Sequence, residues 1–156
     1  MEKKVGDPWK HHLYSNTEGE FFEKLNGWEQ ELLKEAMEEK GFLGWLRNLP
    51  RRDWALCIPY ELAGKKAFYP DFVVFRKRGT GFLADIIEPH DTSRADAWAK
   101  AKGLAEFADL HGIEFGRLLF VRKQGDNYRK IDLNNKTTRE KARKMQSQSD
   151  LESLFG

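Results

Sequence analysis

The sequence predicts an α/β fold, a mixed sheet of four to five strands flanked by helices in the order α-β-β-β-α-β. Two patterns predict it. Short apolar runs separated by Gly-containing turns stand between residues 54 and 88. A small-residue amphipathic segment follows and leads to a further apolar run at 117–122. A meander followed by a helical crossover gives an α/β sheet with helices on its faces. The length of 156 residues is about one domain, and five Trp and eleven Phe supply bulk for its core.

Residues 1–20 are polar with isolated anchors at Trp9, Leu13 and Tyr14, and read as an irregular lead-in. The domain proper is expected over 21–135. Asn26 is a helix N-cap, followed by a helical pattern to about Lys40 and stopped by Gly41. Leu25, Leu32, Leu33 and Ala36 share one stripe of it, and Glu29 lies on that stripe. Gly41 to Arg52 reads as a turn-rich connection. Trp54–Glu61 is a strand, Ala63–Lys66 a hairpin turn, and Phe68–Arg76 a second strand. The second strand is apolar on both faces and therefore expected at the centre of the sheet. Phe82–Glu88 is the third, stopped by Pro89. Thr92 or Ser93 can cap a helix from about Ala95 to Leu110, whose inner stripe is Trp98, Ala101, Leu104, Ala105 and Ala108. Arg117–Arg122 is a fourth strand and Tyr128–Leu133 a short edge strand. Residues 136–156 read as a polar tail, helical to about Met145 and frayed beyond.

The net charge is +2, with 33% charged residues, which permits nucleic-acid binding where basic residues cluster. A single cysteine, Cys57, allows no intramolecular disulfide. No apolar run approaches the roughly 20 residues of a membrane span, and the N-terminus has no hydrophobic signal core. A cytoplasmic protein without membrane association is expected.

The stretch that carries chemistry is YPDFVVFRKRGTGFLADIIEPHD, Tyr69 to Asp91. Asp71 stands at the mouth of one strand, and Glu88 closes the next with His90 two residues on. Side chains at i and i+2 share a face of a strand. Glu88 and His90 therefore extend the row of Phe82, Ala84 and Ile86, while Asp71, Val73 and Phe75 form the row opposite. Paired strands would bring two carboxylates and an imidazole to one end of an apolar sheet, a seat for a divalent cation and an activated water. Asp85 and Asp91 are expected to face away, with Asp91 orienting His90 or beginning the helix cap.

The order of these motifs resembles the PD-(D/E)xK nuclease superfamily. It is most similar to the endonuclease domain at the C-terminus of type III restriction-like helicase subunits. The resemblance rests on His12-Leu13-Tyr14, Trp28-Glu29, Trp45-Leu46-Arg47-Asn48, Ile58-Pro59-Tyr60, Tyr69-Pro70-Asp71-Phe72, Ile87-Glu88-Pro89-His90-Asp91 and Lys100 to Ala105, and covers the chain to about Leu133. It implies a restriction-endonuclease-like core and a Mg²⁺-dependent DNA endonuclease, with Mn²⁺ as substitute. The implied metal ligands are Asp71, Glu88, the Pro89 carbonyl and, as first-helix acid, Glu29. The implied partners are DNA, an ATP-driven helicase and a methyltransferase or specificity subunit, with a homodimer where both strands are cut. The chain has no GxxxxGK[ST] loop of its own.

One departure stands out. The motif lysine, which polarises the attacking water in the superfamily, is replaced by His90. A neutral imidazole can accept a proton but supplies no fixed positive charge. Either His90 acts as the base, or Lys102 reaches in from the next helix, or the chain is a catalytically impaired DNA-binding or helicase-docking module. Glu29 has a second reading as the N3 residue of a capping box with Asn26. Arg47, Arg51 and Arg52, with Arg76, Lys77 and Arg78, read either as a DNA-backbone track or as solvated surface. Cys57 reads as a small core residue, and His11-His12 as lead-in packing.

Overall fold

A computed structural model of the chain describes residues 6–14, 19–90 and 94–156, the side chain of Gln124 excepted. In chain order the elements are β1 (Asp7–Lys10), β2 (Glu20–Glu23), α1 (Gly27–Glu38), β3 (Phe42–Arg47), β4 (Ile58–Glu61), β5 (Lys65–Phe68), β6 (Phe72–Arg78), β7 (Gly81–Pro89), α2 (Ala97–His111), β8 (Leu118–Gln124), β9 (Asn127–Asp132), α3 (Lys136–Arg143) and α4 (Gln148–Phe155). The fold is α/β. A five-stranded mixed sheet of order β3-β6-β7-β8-β9 has helices on its faces. Only the β7–β8 pair is parallel within it, and α2 makes the crossover between them.

The sheet separates two apolar cores. On one face Leu32, Leu33 and Ala36 of α1 pack on Trp45, Phe72, Val74, Ile87, Leu119 and Val121. On the other, the alanines and Leu104 of α2 pack on Ile86, Leu118 and Phe120 together with Ile58, Tyr60 and Phe68. Neighbouring residues of β7, Ile86 and Ile87, thus serve opposite cores, as a strand's alternation requires.

Several expectations are corrected. Residues 42–47 form a strand rather than a turn connection. Gly41, Gly44, Asn48 and Pro50 look like turn residues, but Gly44 answers a packing need: a Cβ there would stand 3.0 Å from the His11 carbonyl. The lead-in carries regular structure. β1 and β2 form an antiparallel hairpin, and residues 11–13 bond to the backbone of Trp45, covering the free edge of β3. The expected strand from Trp54 begins only at Ile58. The expected strand Phe68–Arg76 breaks at Tyr69-Pro70, because proline offers no ladder N–H; β5 pairs with β4 in a separate hairpin, and β6 enters the main sheet.

Phe82, expected in the core, is 64% exposed. Cys57, expected as a core residue, is exposed. The tail is not frayed: Asn135 and Ser147 cap α3 and α4, and Leu151 and Phe155 are buried. Asp91, Thr92 and Ser93, with their expected orienting and capping roles, lie outside the described residues, and Asp96 stands at the N-cap of α2. Among the described residues no helix is long and apolar enough to cross a membrane.

The position of α2 is set by contact with the β4–β5 hairpin. A Cβ at Gly103 would lie 2.5 Å from the Pro59 carbonyl and 2.6 Å from the Tyr60 Cβ. Backbone and Cβ atoms cannot swing aside, so helix and hairpin would have to separate. Gly103→Ala should therefore destabilise the fold by about 1–3 kcal/mol despite its better helix propensity. Urea denaturation measures this, and an unchanged midpoint would contradict the close approach.

Candidate functional site

The register of β6 against β7 builds the site. Phe72 opposes Ile87 and Val73 opposes Ile86, so the next step of the ladder brings Asp71 opposite Glu88. Both carboxylates line one cleft of about 570 Å³, which Glu29, Pro89, His90, Arg94 and Lys100 also line, with Trp28, Pro50 and Tyr69 at its walls. The two acids that the sequence singled out, 17 residues apart in the chain, meet as expected. The Asp71 carbonyl accepts from the Asn48 N–H at 2.9 Å, which fixes the end of β3 to the same place.

Glu88 is only 6% exposed. Burial, and then the neighbouring Asp71 carboxylate, push its pKa well above the usual carboxylate range, opposed by Lys100 and Arg47. Asp71 is pushed up to about 6, chiefly by burial; Glu29 adds to the rise, and Arg47 and Lys100 oppose it. Two carboxyls are therefore held where their charge is under-compensated by the protein.

Glu29 closes the expected capping box and also lines the cleft. Its Oε1 accepts from the Asn26 N–H at 3.1 Å, while Asn26 Oδ1 accepts from the Glu29 N–H at 2.8 Å, closing the capping box. Its Oε2 meets the Arg47 guanidinium at 2.5 Å, inside the cleft wall. Arg47 stands 4.0 Å from Asp71 Oδ1 and lies over the Phe72 ring at 5.1 Å. Arg47 is thus a neighbour of the acids rather than a surface residue.

His90 is buried in the same cleft. Its N–H donates to the Val121 carbonyl at 2.9 Å, and its Nε2 stands 3.6 Å from Asp96 Oδ1. Burial, then the nearby Lys100, lower its pKa, so at neutral pH the ring is uncharged. In the lead-in, His12 packs as expected: it stacks on Phe21 at 3.4 Å, and burial lowers its pKa to about 4.

Lys102 is not the lysine of the site. Its Nζ donates to the Met145 carbonyl at 3.2 Å, holding α2 to the end of α3. Lys100 occupies the cleft instead. Its Nζ pairs with Asp96 at 3.3 Å and lies 5.9 and 5.8 Å from the ring centres of Tyr60 and Phe68. Helical phase could have found it, since Lys100 lies three residues after buried Ala97 and four before buried Leu104. Arg94 is a second missed cation, with no pattern in the sequence to single it out.

The expected DNA-backbone arginines divide. Arg76 does not face the cleft: its Nε and Nη2 hold buried Asp85 at 2.5 and 3.0 Å. Arg78 and Lys77 lie at the far end of β6, roughly 20 Å from Asp71 at about 3.3 Å per residue. Arg51 and Arg52 are exposed on the loop whose Pro50 lines the cleft.

Among the described residues no group of three or more His, Cys, Asp or Glu is arranged to hold a metal ion. The donor set still suits one hard cation. Mg²⁺ is usually held by one or two carboxylates, its other positions being filled by water and substrate oxygens. Asp71 and Glu88 supply the carboxylates, and Pro89 retains a carbonyl beside them. Glu29, engaged by Asn26 and Arg47, could reach such an ion only through water or after releasing Arg47.

The electrostatics carry a stability cost of known sign. Below 3.8 the Asp71 carboxyl is protonated in both folded and unfolded chains. Above about 6 it is ionised in both, and the folded state bears the penalty. Asp71→Asn should therefore stabilise the protein at pH 7 by about 1–3 kcal/mol, and by nothing at pH 3.5. Chemical denaturation at the two pH values reads the difference, and destabilisation at pH 7 would contradict the assigned strain.

The comparisons with known proteins follow from sequence. The chain is 33% identical over 135 residues to protein YagJ of Escherichia coli strain K12, an alignment that covers 85% of this chain and 56% of that protein. The chain thus spans little more than half the length of this curated relative. No solved structure matches. A model of the YagJ family matches residues 10–156, and the chain belongs to the YagJ family.

Proposed function

We propose that this domain is a divalent-metal-dependent DNA endonuclease that hydrolyses phosphodiester bonds. The observation that supports the reading is the meeting of Asp71 and Glu88, both with raised pKa values, in one cleft that also holds Lys100. Mg²⁺ or Mn²⁺ bound there supplies charge neutralisation at the scissile phosphate and lowers the pKa of an attacking water.

The residues of the chain have separable tasks. Asp71, Glu88 and the Pro89 carbonyl hold the cation. Lys100 supplies the fixed positive charge missing from the position of His90. Its position is set by Asp96 and by the faces of Tyr60 and Phe68, so its charge is aimed rather than free. His90, uncharged at neutral pH, can accept a proton. Arg94 offers charge to a phosphate oxygen at the wall, and Arg47 holds the Glu29 carboxylate in place beside Asp71. Action in the cytoplasm, with a helicase motor, a methyltransferase or specificity subunit, or a second copy of the chain, belongs to the same reading.

One observation favours a second reading, a catalytically impaired DNA-binding or helicase-docking module. Arg47 at 4.0 Å from Asp71 can neutralise that carboxylate in place of a cation.

Nicking of supercoiled plasmid with and without Mg²⁺ or Mn²⁺ separates the two. The nuclease reading expects metal-dependent nicking that falls about 10²-fold or more in Asp71→Asn and Glu88→Gln, and about 10–10²-fold in Lys100→Met. Lys102→Ala and Arg78→Ala should stay within about twofold of the parent, since neither faces the cleft. Equal cutting by Asp71→Asn, or cutting indifferent to chelation, would remove the mechanism.

A further inference from the structure

The loop from Leu49 to Ala55 is built more firmly than a simple connection requires. Asn48 clamps its ends: the side chain donates to the Leu56 carbonyl and accepts from the Leu56 N–H, both at 2.8 Å. The Asn48 N–H also bonds to the Asp71 carbonyl, so the loop is fixed to a residue that carries a site carboxylate. At its tip Arg51 holds φ of 63°, a conformation that costs a non-glycine residue energy and is kept only where the surroundings impose it.

This loop joins two concavities. Pro50 lines the carboxylate cleft. Arg52 and Trp54 line a second, apolar pocket of about 210 Å³ with Tyr14 and Leu49, floored by His12 and Phe21. Trp54 is 40% exposed and Tyr14 58%, and their ring centres lie 5.5 Å apart at 37°. The core does not need these exposed faces. Arg51 and Arg52 add exposed positive charge beside them.

We propose that Tyr14, Trp54 and Arg52 form a stacking site for an unpaired base of a DNA strand whose backbone continues into the carboxylate cleft. The proposal rests on the phosphodiesterase reading for the identity of that strand. Aromatic faces bind any base by stacking and so add affinity without sequence preference. The arginines complement the phosphates on either side. A base inside a duplex presents no free face, so the site selects single-stranded or locally opened DNA.

The test is fluorescence anisotropy of a labelled single-stranded 12-mer, with the full chain in EDTA so that no cutting occurs. Trp54→Ala should weaken binding about tenfold, and Trp54→Phe should restore it to within about threefold. Moving one abasic position along the oligonucleotide should find a site where loss of the base weakens the parent protein about tenfold and Trp54→Ala hardly at all. Should Trp54→Ala fail to fold, the abasic scan on the parent and on Trp54→Phe still reads the site. Equal binding by folded Trp54→Ala, or a flat abasic profile in the parent, overturns the proposal. Metal-dependent cutting with Trp54-independent binding overturns this site and leaves the nuclease reading standing. Trp54-dependent binding without cutting supports this site and defeats the nuclease reading.

Discussion

The burial of two acids, Asp71 and Glu88, in one cleft is the constraint around which this domain is arranged, and the register of β6 on β7 enforces it. A slip of one residue would turn Glu88 toward the opposite core and bring Ile87 to the cleft. The slip is blocked because it would turn Glu88 into the apolar core around Ile87 and take buried Asp85 away from Arg76 and Arg117. The packing of the whole sheet therefore maintains an electrostatic strain at its end. Arg47 and Lys100 relieve part of it, but both acids still keep raised pKa values.

A second acid on the same strand shows what full compensation looks like. Asp85 is completely buried, yet its pKa is lowered. Both of its oxygens are occupied by the side chains of Arg76 and Arg117 and by the Arg117 N–H, and Arg117 passes the network on to Glu39 at 2.6 Å. Burial acts in the same direction on Asp85 and Glu88. The difference is the set of partners, and it separates a charge that holds α1 and the sheet together from one left open toward a cleft. Family membership alone names no chemistry for that cleft. Its reading as a catalytic centre rests on this contrast and on the motif order of the sequence.

Much of this was legible in the sequence for stated reasons. Period-two alternation located Asp71 and Glu88 on one face, and the small residues of α2 foretold its close packing. Asn26 and Glu29 declared the start of α1. Other features were hidden by local signals that tertiary packing overrode. Gly44 and Pro50 made β3 look like a loop, because a glycine that admits a neighbouring backbone cannot be told from a glycine that turns the chain. Pro70 marked a break between sheets, yet the apolar residues on both sides read as one strand. Lys102 and Lys100 differ by about 160° of helical phase: a stripe through half-buried Trp98 points to Lys102, whereas buried Ala97 marks the phase of Lys100. Arg94 and the partnership of Arg76 with Asp85 depend on distant contacts, which no local pattern encodes.

The most direct test of the central claim is a crystal of the protein soaked in Mn²⁺ and measured for anomalous scattering. The account expects one strong peak between the carboxylates of Asp71 and Glu88, within about 2.0–2.3 Å of an oxygen from each, and lost on Glu88→Gln. A cleft without a peak at saturating Mn²⁺, with the Arg47 guanidinium closed onto Asp71, would contradict it.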